Sequence, residues 1–236
     1  GHVLPGVALV VGLGRAGAGG AGAGLAVVLA LHGDAEALFL VGHLVLGGSR
    51  RGGLAYPALR GTNQLLNASA VMAACEAVRD ILPVPMQAIR QGFMLVELPG
   101  RFQVLPGRPT VVLDVAHNPQ AAGVLNENLA SMGFFSETWA VLGMLGDKDV
   151  AGVVRLLRDR VDHWLLASLP GPRGLSAARL AEILRELGVS GDVSEHDSPR
   201  AAYQVARDGA AEGDRIVIFG SFLTVADVLA AVKAPQ

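Results

Sequence analysis

Beyond residue 99, apolar and polar positions switch repeatedly between two periods. Strand candidates stand at Val111–Val115, Thr138–Gly143, His163–Ala167, Asp192–Glu195 and Arg215–Phe219. Between them, helical spacing predicts helices over Pro119–Met132, Asp149–Val161, Ser176–Leu187 and Pro199–Ala210, with Phe222–Val232 closing the chain. Ser176 and Ser198 stand where amino-terminal caps belong, and Asn118-Pro119 offers a cap followed by the residue favoured at the first helical position. Strands alternating with helices of this length specify an α/β fold with a mostly parallel sheet and helices on both faces. We therefore expect residues 99–236 to form one α/β domain and residues 1–98 to belong to something else. In that first part, Thr62 is a candidate cap for a helix with apolar positions at Leu65, Leu66, Ala70, Val71 and Ala74. Pro85 opens a shorter helix to about Leu95, and Leu98-Pro99-Gly100 breaks the chain at an expected domain boundary.

The beginning of the chain is harder to read. Val7–Val11 could be a buried strand, and Gly12-x-Gly14-x-x-Gly17 follows it with Asp34 downstream, which matches a dinucleotide fingerprint on paper. That fingerprint needs a helix whose amino end faces a pyrophosphate. Gly19, Gly20, Gly22 and Gly24 crowd the segment, and each glycine costs about 1 kcal/mol against alanine in a helix. The next apolar run, Leu25–Leu31, also arrives too soon for a crossover helix. An irregular loop is the favoured reading, and a dinucleotide-binding oxidoreductase is the lesser alternative.

Composition narrows the classes. The chain has 236 residues, 51% hydrophobic and 17% charged, which is enough for a folded protein of one or two domains. A net charge of −2 gives no electrostatic reason to expect nucleic acid or an anionic membrane as a partner. The single cysteine, Cys75, excludes an internal disulfide framework, fits a reducing, cytoplasmic setting and reads as inert core. Ala16–Leu31 is uncharged but glycine-rich and too short to span a bilayer. The opening Gly1-His2 has no methionine, which points to a fragment or a processed end, and no secretory signal is found.

Chemistry concentrates in Asp114-Val115-Ala116-His117-Asn118-Pro119, a carboxylate, an imidazole and an amide in the turn leaving a predicted strand. Open parallel sheets bind ligands at the carboxyl ends of their strands. A shared rim would gather Asp114 and His117, Gly143–Asp149, Ser168–Gly174, His196 and Gly220-Ser221. Lys148 stands out because the chain has two lysines against 17 arginines; it could offer a compact charge to phosphate or carboxylate, or be a solvated loop lysine paired with Asp147 or Asp149. His163 begins a strand and reads as structural or exposed, and His196 is ambiguous. No spacing of histidines and Cys75 resembles a zinc site, so no metal ligand is assigned, and no G-x-S-x-G elbow is present.

Leu113-Asp114-Val115-Ala116-His117-Asn118-Pro119 resembles the carboxy-terminal domain of the bifunctional dihydrofolate synthases/folylpolyglutamate synthases, folate ligases of the Mur ligase superfamily. Further stretches agree in order: Asn67-Ala68, Leu98-Pro99-Gly100-Arg101-Phe102-Gln103, Gly143-Met144-Leu145-Gly146-Asp147-Lys148-Asp149, Gly171-Pro172-Arg173-Gly174 and Gly220-Ser221-Phe222. The resemblance covers roughly residues 54–236. It implies a Mur ligase carboxy-terminal α/β domain at 99–236, preceded at 1–98 by part of a central ATPase domain.

The resemblance also implies a reaction. ATP phosphorylates a pteroate or folate carboxylate, and the amine of L-glutamate attacks the acyl phosphate, with Mg2+ and cationic groups spreading the charge. By position, Asn67, Arg101 and Asp114 resemble the ATP contacts, with Asp114 accepting from ribose hydroxyls. His117 falls near the reacting centre, orienting glutamate or stabilising charge. Lys148 is a further catalytic candidate, and both it and Ser221 fall on the glutamate side. The family's G-x-x-G-K-[ST] phosphate loop does not occur among these residues, and neither Lys148 nor Lys233 follows a glycine loop. The magnesium ligands and most of the folate pocket are accordingly expected in an amino-terminal region outside this sequence. The implied protein is an incomplete ligase, inactive alone and monomeric when complete. The competing reading is a non-catalytic module that complements a separate ATPase domain and presents an apolar docking patch.

Overall fold

The computed structural model describes residues 8–11, 25–28, 44–46, 49–51, 57–59 and 62–233. The chain divides into two compact units, Gly1–Glu97 and Leu98–Gln236.

In the first unit, β1 (Ala8–Val11) pairs antiparallel with β2 (Leu25–Val28), and β3 (Leu44–Leu46) pairs antiparallel with β4 (Ser49–Arg51). The strand before the glycine fingerprint is thus bonded antiparallel to the next described strand. A dinucleotide unit instead requires a parallel partner reached through a helix. Residues 12–24, including the fingerprint glycines, lie outside the described residues, as does Asp34. Helix α1 (Thr62–Ala77) takes Thr62 into its first turn, and α2 (Met86–Leu95) begins after Pro85. The face predicted for α1 is corrected: Ala70, Val71 and Ala74 are exposed, whereas Ala68 and Met72 are buried. Alanine and other apolar residues surround this helix, so its periodicity selects no face. Cys75 is half-buried rather than core, and lines a pocket of about 380 Å³ with Met72, Met86 and Ile89.

The second unit is built on β5 (Gln103–Leu105), β6 (Thr110–Leu113), β7 (Thr138–Leu142), β8 (His163–Ala167), β9 (Asp192–His196) and β10 (Arg215–Phe219). They form one six-stranded sheet in the order β5-β6-β10-β7-β8-β9. Every neighbouring pair is parallel except β5–β6, so the sheet is mostly parallel with an antiparallel edge. The helices are α3 (Pro119–Ser131), α4 (Val150–Leu157), α5 (Ala177–Glu186), α6 (Pro199–Gly209) and α7 (Phe222–Lys233).

Side-chain alternation assigns the layers. Val112, Leu142, Trp164, Leu166, Val217 and Phe219 pack against α3, α4 and α5 on one face. Their strand neighbours Val111, Leu113, Val141, Leu165, Ile216 and Ile218 pack against α6 and α7 on the other. Central strand β10 is buried along its whole length, as its unbroken apolar run requires.

The topology creates the site. β6 leads through α3 to β7, then through α4 to β8 and through α5 to β9, stepping along one face. Helix α6 returns across the opposite face and inserts β10 between β6 and β7. The chain leaves β6 and β7 toward one face but leaves β10 toward the other. Such a reversal opens a crevice at the carboxyl ends of the strands.

Candidate functional site at the strand exits

The crevice is a pocket of about 230 Å³ lined by His117, Leu145, Lys148, Arg173, Gly220, Ser221 and Phe222. Three adjacent strand exits supply most of it: β6 gives His117, β7 gives Leu145 and Lys148, and β10 gives Gly220, Ser221 and Phe222. Arg173 arrives from the loop after β8.

Glycines permit this convergence. Gly220 has φ +105°, and a Cβ there would stand 2.5 Å from the Gly143 carbonyl oxygen and 2.8 Å from Met144 Cγ. Only a residue without a side chain lets β10 turn into α7 so close to the exit of β7. The Thr224 hydroxyl donates to the same Gly143 oxygen at 2.8 Å, tying α7 to that exit.

Asn118 accepts from Ala121 N–H at 2.9 Å and caps α3, with Pro119 in its first turn. That frees the rest of the turn for other work. His117 Nδ1 lies 2.8 Å from the Val115 carbonyl oxygen. A carbonyl can only accept, so Nδ1 carries the proton, and in the neutral ring Nε2 is an unprotonated acceptor on a pocket-lining residue. No partner for Nε2 is found among the described residues.

Asp114 is engaged by the protein's own backbone. Oδ2 accepts from Phe102 N–H at 2.9 Å and Oδ1 from Ala116 N–H at 2.8 Å. The first bond pins a tight turn: Gly100 has φ +73°, and Phe102, uncommonly for a bulky residue, has φ +44°. Burial pushes the Asp114 carboxyl above its ordinary value of 3.8, against the opposing pull of the Ala116 and Phe102 N–H groups and of Arg101. The turn carries Arg101, whose guanidinium carbon lies 5.9 Å from the Phe222 ring centroid; the His117 ring is 6.4 Å from the same centroid. Phe222 therefore joins the Asp114–Arg101 turn to the pocket.

The local pairing expected for Lys148 is present. It lines the pocket, yet its Nζ also lies 3.2 Å from Asp147 Oδ2. The same oxygen accepts from Arg173 Nη2 at 2.8 Å. The Arg173 bond, then that of Lys148, holds the Asp147 carboxyl below its ordinary value. Asp149 instead caps α4 by accepting from Gly152 N–H at 2.8 Å. Buried Ser221 precedes α7, its Oγ accepting from Leu223 N–H at 3.2 Å.

Other expected residues lie apart. His196 ends β9, the far edge strand, and its ring meets Ser194 Oγ at 2.9 Å; burial, opposed by Asp197, lowers its pKa. His163 is at the opposite rim of the sheet, between Glu137 at 2.9 Å and Asp192 at 3.3 Å, and stacks on Trp139. Asn67 belongs to the first unit, exposed on α1 and bonded to Gln64 at 3.0 Å. Arg173 and Phe222 carry no role in the sequence reading, although both fall inside stretches singled out for resemblance. Among the described residues, no three His, Cys, Asp or Glu side chains converge where a metal ion could sit. Nor is any described helix long and apolar enough to cross a membrane.

The family profile described as "Mur ligase, glutamate ligase domain" matches residues 100–222. The chain belongs to the Mur ligase family. Its second unit has that family's carboxy-terminal domain fold, and relatives it matches are dihydrofolate synthases/folylpolyglutamate synthases. The dihydrofolate synthase/folylpolyglutamate synthase of Escherichia coli K12 is 40% identical over 168 residues, covering 71% of this chain and 38% of the relative. The structure described as E. coli FolC in complex with DHPP and ADP superposes with a TM-score of 0.70 at 36% identity, covering 79% of this chain and 42% of that one. A bifunctional folylpolyglutamate synthase/dihydrofolate synthase with Mn, AMPPNP and L-glutamate bound superposes with a TM-score of 0.68 at 40% identity, covering 81% and 44%. This chain thus spans about two fifths of the length of these relatives.

Proposed function

We propose that this chain supplies the amino-acid side and part of the nucleotide side of a folate ligase, which adds L-glutamate to a dihydropteroate or folate carboxylate through an ATP-derived acyl phosphate. The observation that carries this reading is the pocket at the β6, β7 and β10 exits. There the free Nε2 of His117, the cations of Lys148 and Arg173 and the buried Ser221 line one cavity. A zwitterionic amino acid needs such a set: cations for its carboxylate, and an acceptor for a proton of its ammonium.

In this reading Lys148 and Ser221 hold glutamate, and His117 Nε2 takes a proton from its ammonium, freeing the nitrogen lone pair to attack the activated carbon as phosphate leaves. Arg101 and Asp114 meet the nucleotide. Each Asp114 oxygen already accepts one N–H and retains a further lone pair for a ribose hydroxyl. We take the first unit, which carries Asn67, as part of a central ATPase domain. ATP fits this polar, cation-bearing rim. We place the magnesium ligands and the phosphate loop in sequence outside these residues. The working enzyme is a cytoplasmic monomer, and the isolated chain does not turn over.

The complementing-module reading draws on a different observation: Ile81, Leu82, Met94 and Leu95 of the first unit are exposed, Ile81 at 88% and Leu95 at 76%. Joining this chain to the phosphate-loop half of a relative tests the ligase reading. We expect ADP release that requires both L-glutamate and dihydropteroate. A folded fusion whose ADP release ignores glutamate would overturn it.

A further inference from the structure

We propose that the first unit holds a binding site of its own, the cavity between α1 and α2, and that this site takes a small aromatic carboxylate with its ring inward. No residue of the strand-exit crevice enters it, so it stands or falls apart from the ligase reading. At about 380 Å³ the cavity exceeds the 230 Å³ crevice and reaches the size at which ligand pockets begin, about 300 Å³.

Sequence spacing builds the cavity. Met72, Cys75 and Arg79 recur at i, i+3 and i+7, a single stripe along α1 that continues past its end at Ala77. Met86 and Ile89, three apart in the first turn of α2, line the same space. The connection between the helices is preset. Ile81 and Leu82 N–H both donate to the Val78 carbonyl, at 2.9 and 2.7 Å, and Pro85 holds φ at −62° where α2 begins.

The lining selects the occupant. Met72 and Ile89 are buried and make an apolar floor, whereas Arg79 is exposed and stands at the mouth. Three sulfur-bearing side chains, Met72, Cys75 and Met86, face the space, and polarisable sulfur favours an aromatic ring over an aliphatic chain. Among the described residues no carboxylate and no histidine line it, so nothing there repels an anion. A guanidinium carries five N–H donors in a planar fork, more than a single partner takes up, and the fork matches a carboxylate. An apolar floor under a cationic mouth orders such a ligand ring down and carboxylate out. An amine or a zwitterion would set its own cation against Arg79. Because Arg79 is exposed, its charge should contribute only about twofold to fivefold in affinity, with the ring supplying the rest.

Cys75 is the chain's single thiol, so its alkylation reports on this cavity alone. The 236-residue chain is treated with N-ethylmaleimide in the presence of 2-naphthoate, 2-naphthamide or octanoate, and the mass increase is followed over time. Protection is the ratio of rates without and with the compound in the same variant. The 15N amides of Met72, Met86 and Ile89 are followed in parallel. We expect half-maximal protection by 2-naphthoate at about 0.1–1 mM. Octanoate should be at least threefold weaker, and 2-naphthamide, or 2-naphthoate on Arg79→Gln, about twofold to fivefold weaker. Equal protection by octanoate would overturn the aromatic assignment. Undiminished binding of 2-naphthoate to Arg79→Gln, with 2-naphthamide its equal, would overturn the carboxylate assignment. Alkylation at the unprotected rate with all three amides unmoved would remove the site itself and leave the ligase reading untouched.

Discussion

Asp114 is the residue whose removal should be felt in stability as well as in chemistry. Asp114→Ala deletes the acceptors of Phe102 N–H and Ala116 N–H, and so releases the turn that holds Phe102 at φ +44°. Each buried donor left without a partner costs about 1–3 kcal/mol. Two opposing effects reduce the sum: the turn relaxes once unpinned, and an ionised group no longer has to be desolvated. We expect a net loss of about 2–3 kcal/mol, or roughly 5–10 °C in melting temperature for a domain of this size. Linkage adds a sign. Burial raises the folded pKa above 3.8, so the folded state retains this proton to higher pH than the unfolded chain. The contribution of Asp114 therefore declines as pH rises from 3.8 through the folded value, and the gap between wild type and Asp114→Ala should be wider at about pH 4 than at about pH 7. Thermal melts by circular dichroism at both pH values measure it. Melting within about 1 °C of wild type would refute the clasp, and a gap that widens with pH would refute burial as the leading cause of the shift.

Three further outcomes follow from the geometry. Gly220→Ala should lose about 2 kcal/mol or more in urea unfolding, from φ +105° and the Gly143 carbonyl, whereas Gly123→Ala, mid-α3 with open space around it, should gain about 0.5–1 kcal/mol. The His196 ring should titrate by NMR below the ordinary histidine value of 6.5, so the stability it contributes is lost as pH falls through that lower value; a midpoint at or above 6.5 would contradict burial as its main influence. In the joined enzyme, His117→Gln should reduce kcat of glutamate addition by about a hundredfold while leaving ATP binding intact. A change confined to KM for ATP would place His117 at the nucleotide instead.

Much of the second unit was legible because each element there announces itself locally. Ser176, Ser198 and Asn118 cap as their positions predict, and the five parallel strands fall within a residue or two of their expected bounds. β5 was not foreseen, since three residues before Pro106-Gly107 show no measurable period and pair only through β6. The insertion of β10 between β6 and β7 is equally invisible locally, although it creates the crevice. The shared rim of parallel strand exits was foreseen, but the couplings among its residues were not. Neither the clasp of Asp114 on Phe102, 12 residues away, nor the Asp147 bridge to Arg173, 26 away, leaves a trace in spacing. Arg215 shows the same limit: it opens an apolar strand, yet its guanidinium is buried against Thr138 and the Leu129 carbonyl, and burial lowers its pKa to about 10.

The most direct measurement is a crystal structure of the joined enzyme with a non-hydrolysable ATP analogue and L-glutamate. Glutamate is expected between Lys148, Arg173, Ser221 and His117 Nε2, with the nucleotide ribose at Asp114. Ordered glutamate anywhere else, with the pocket at the β6, β7 and β10 exits holding solvent alone, would contradict it.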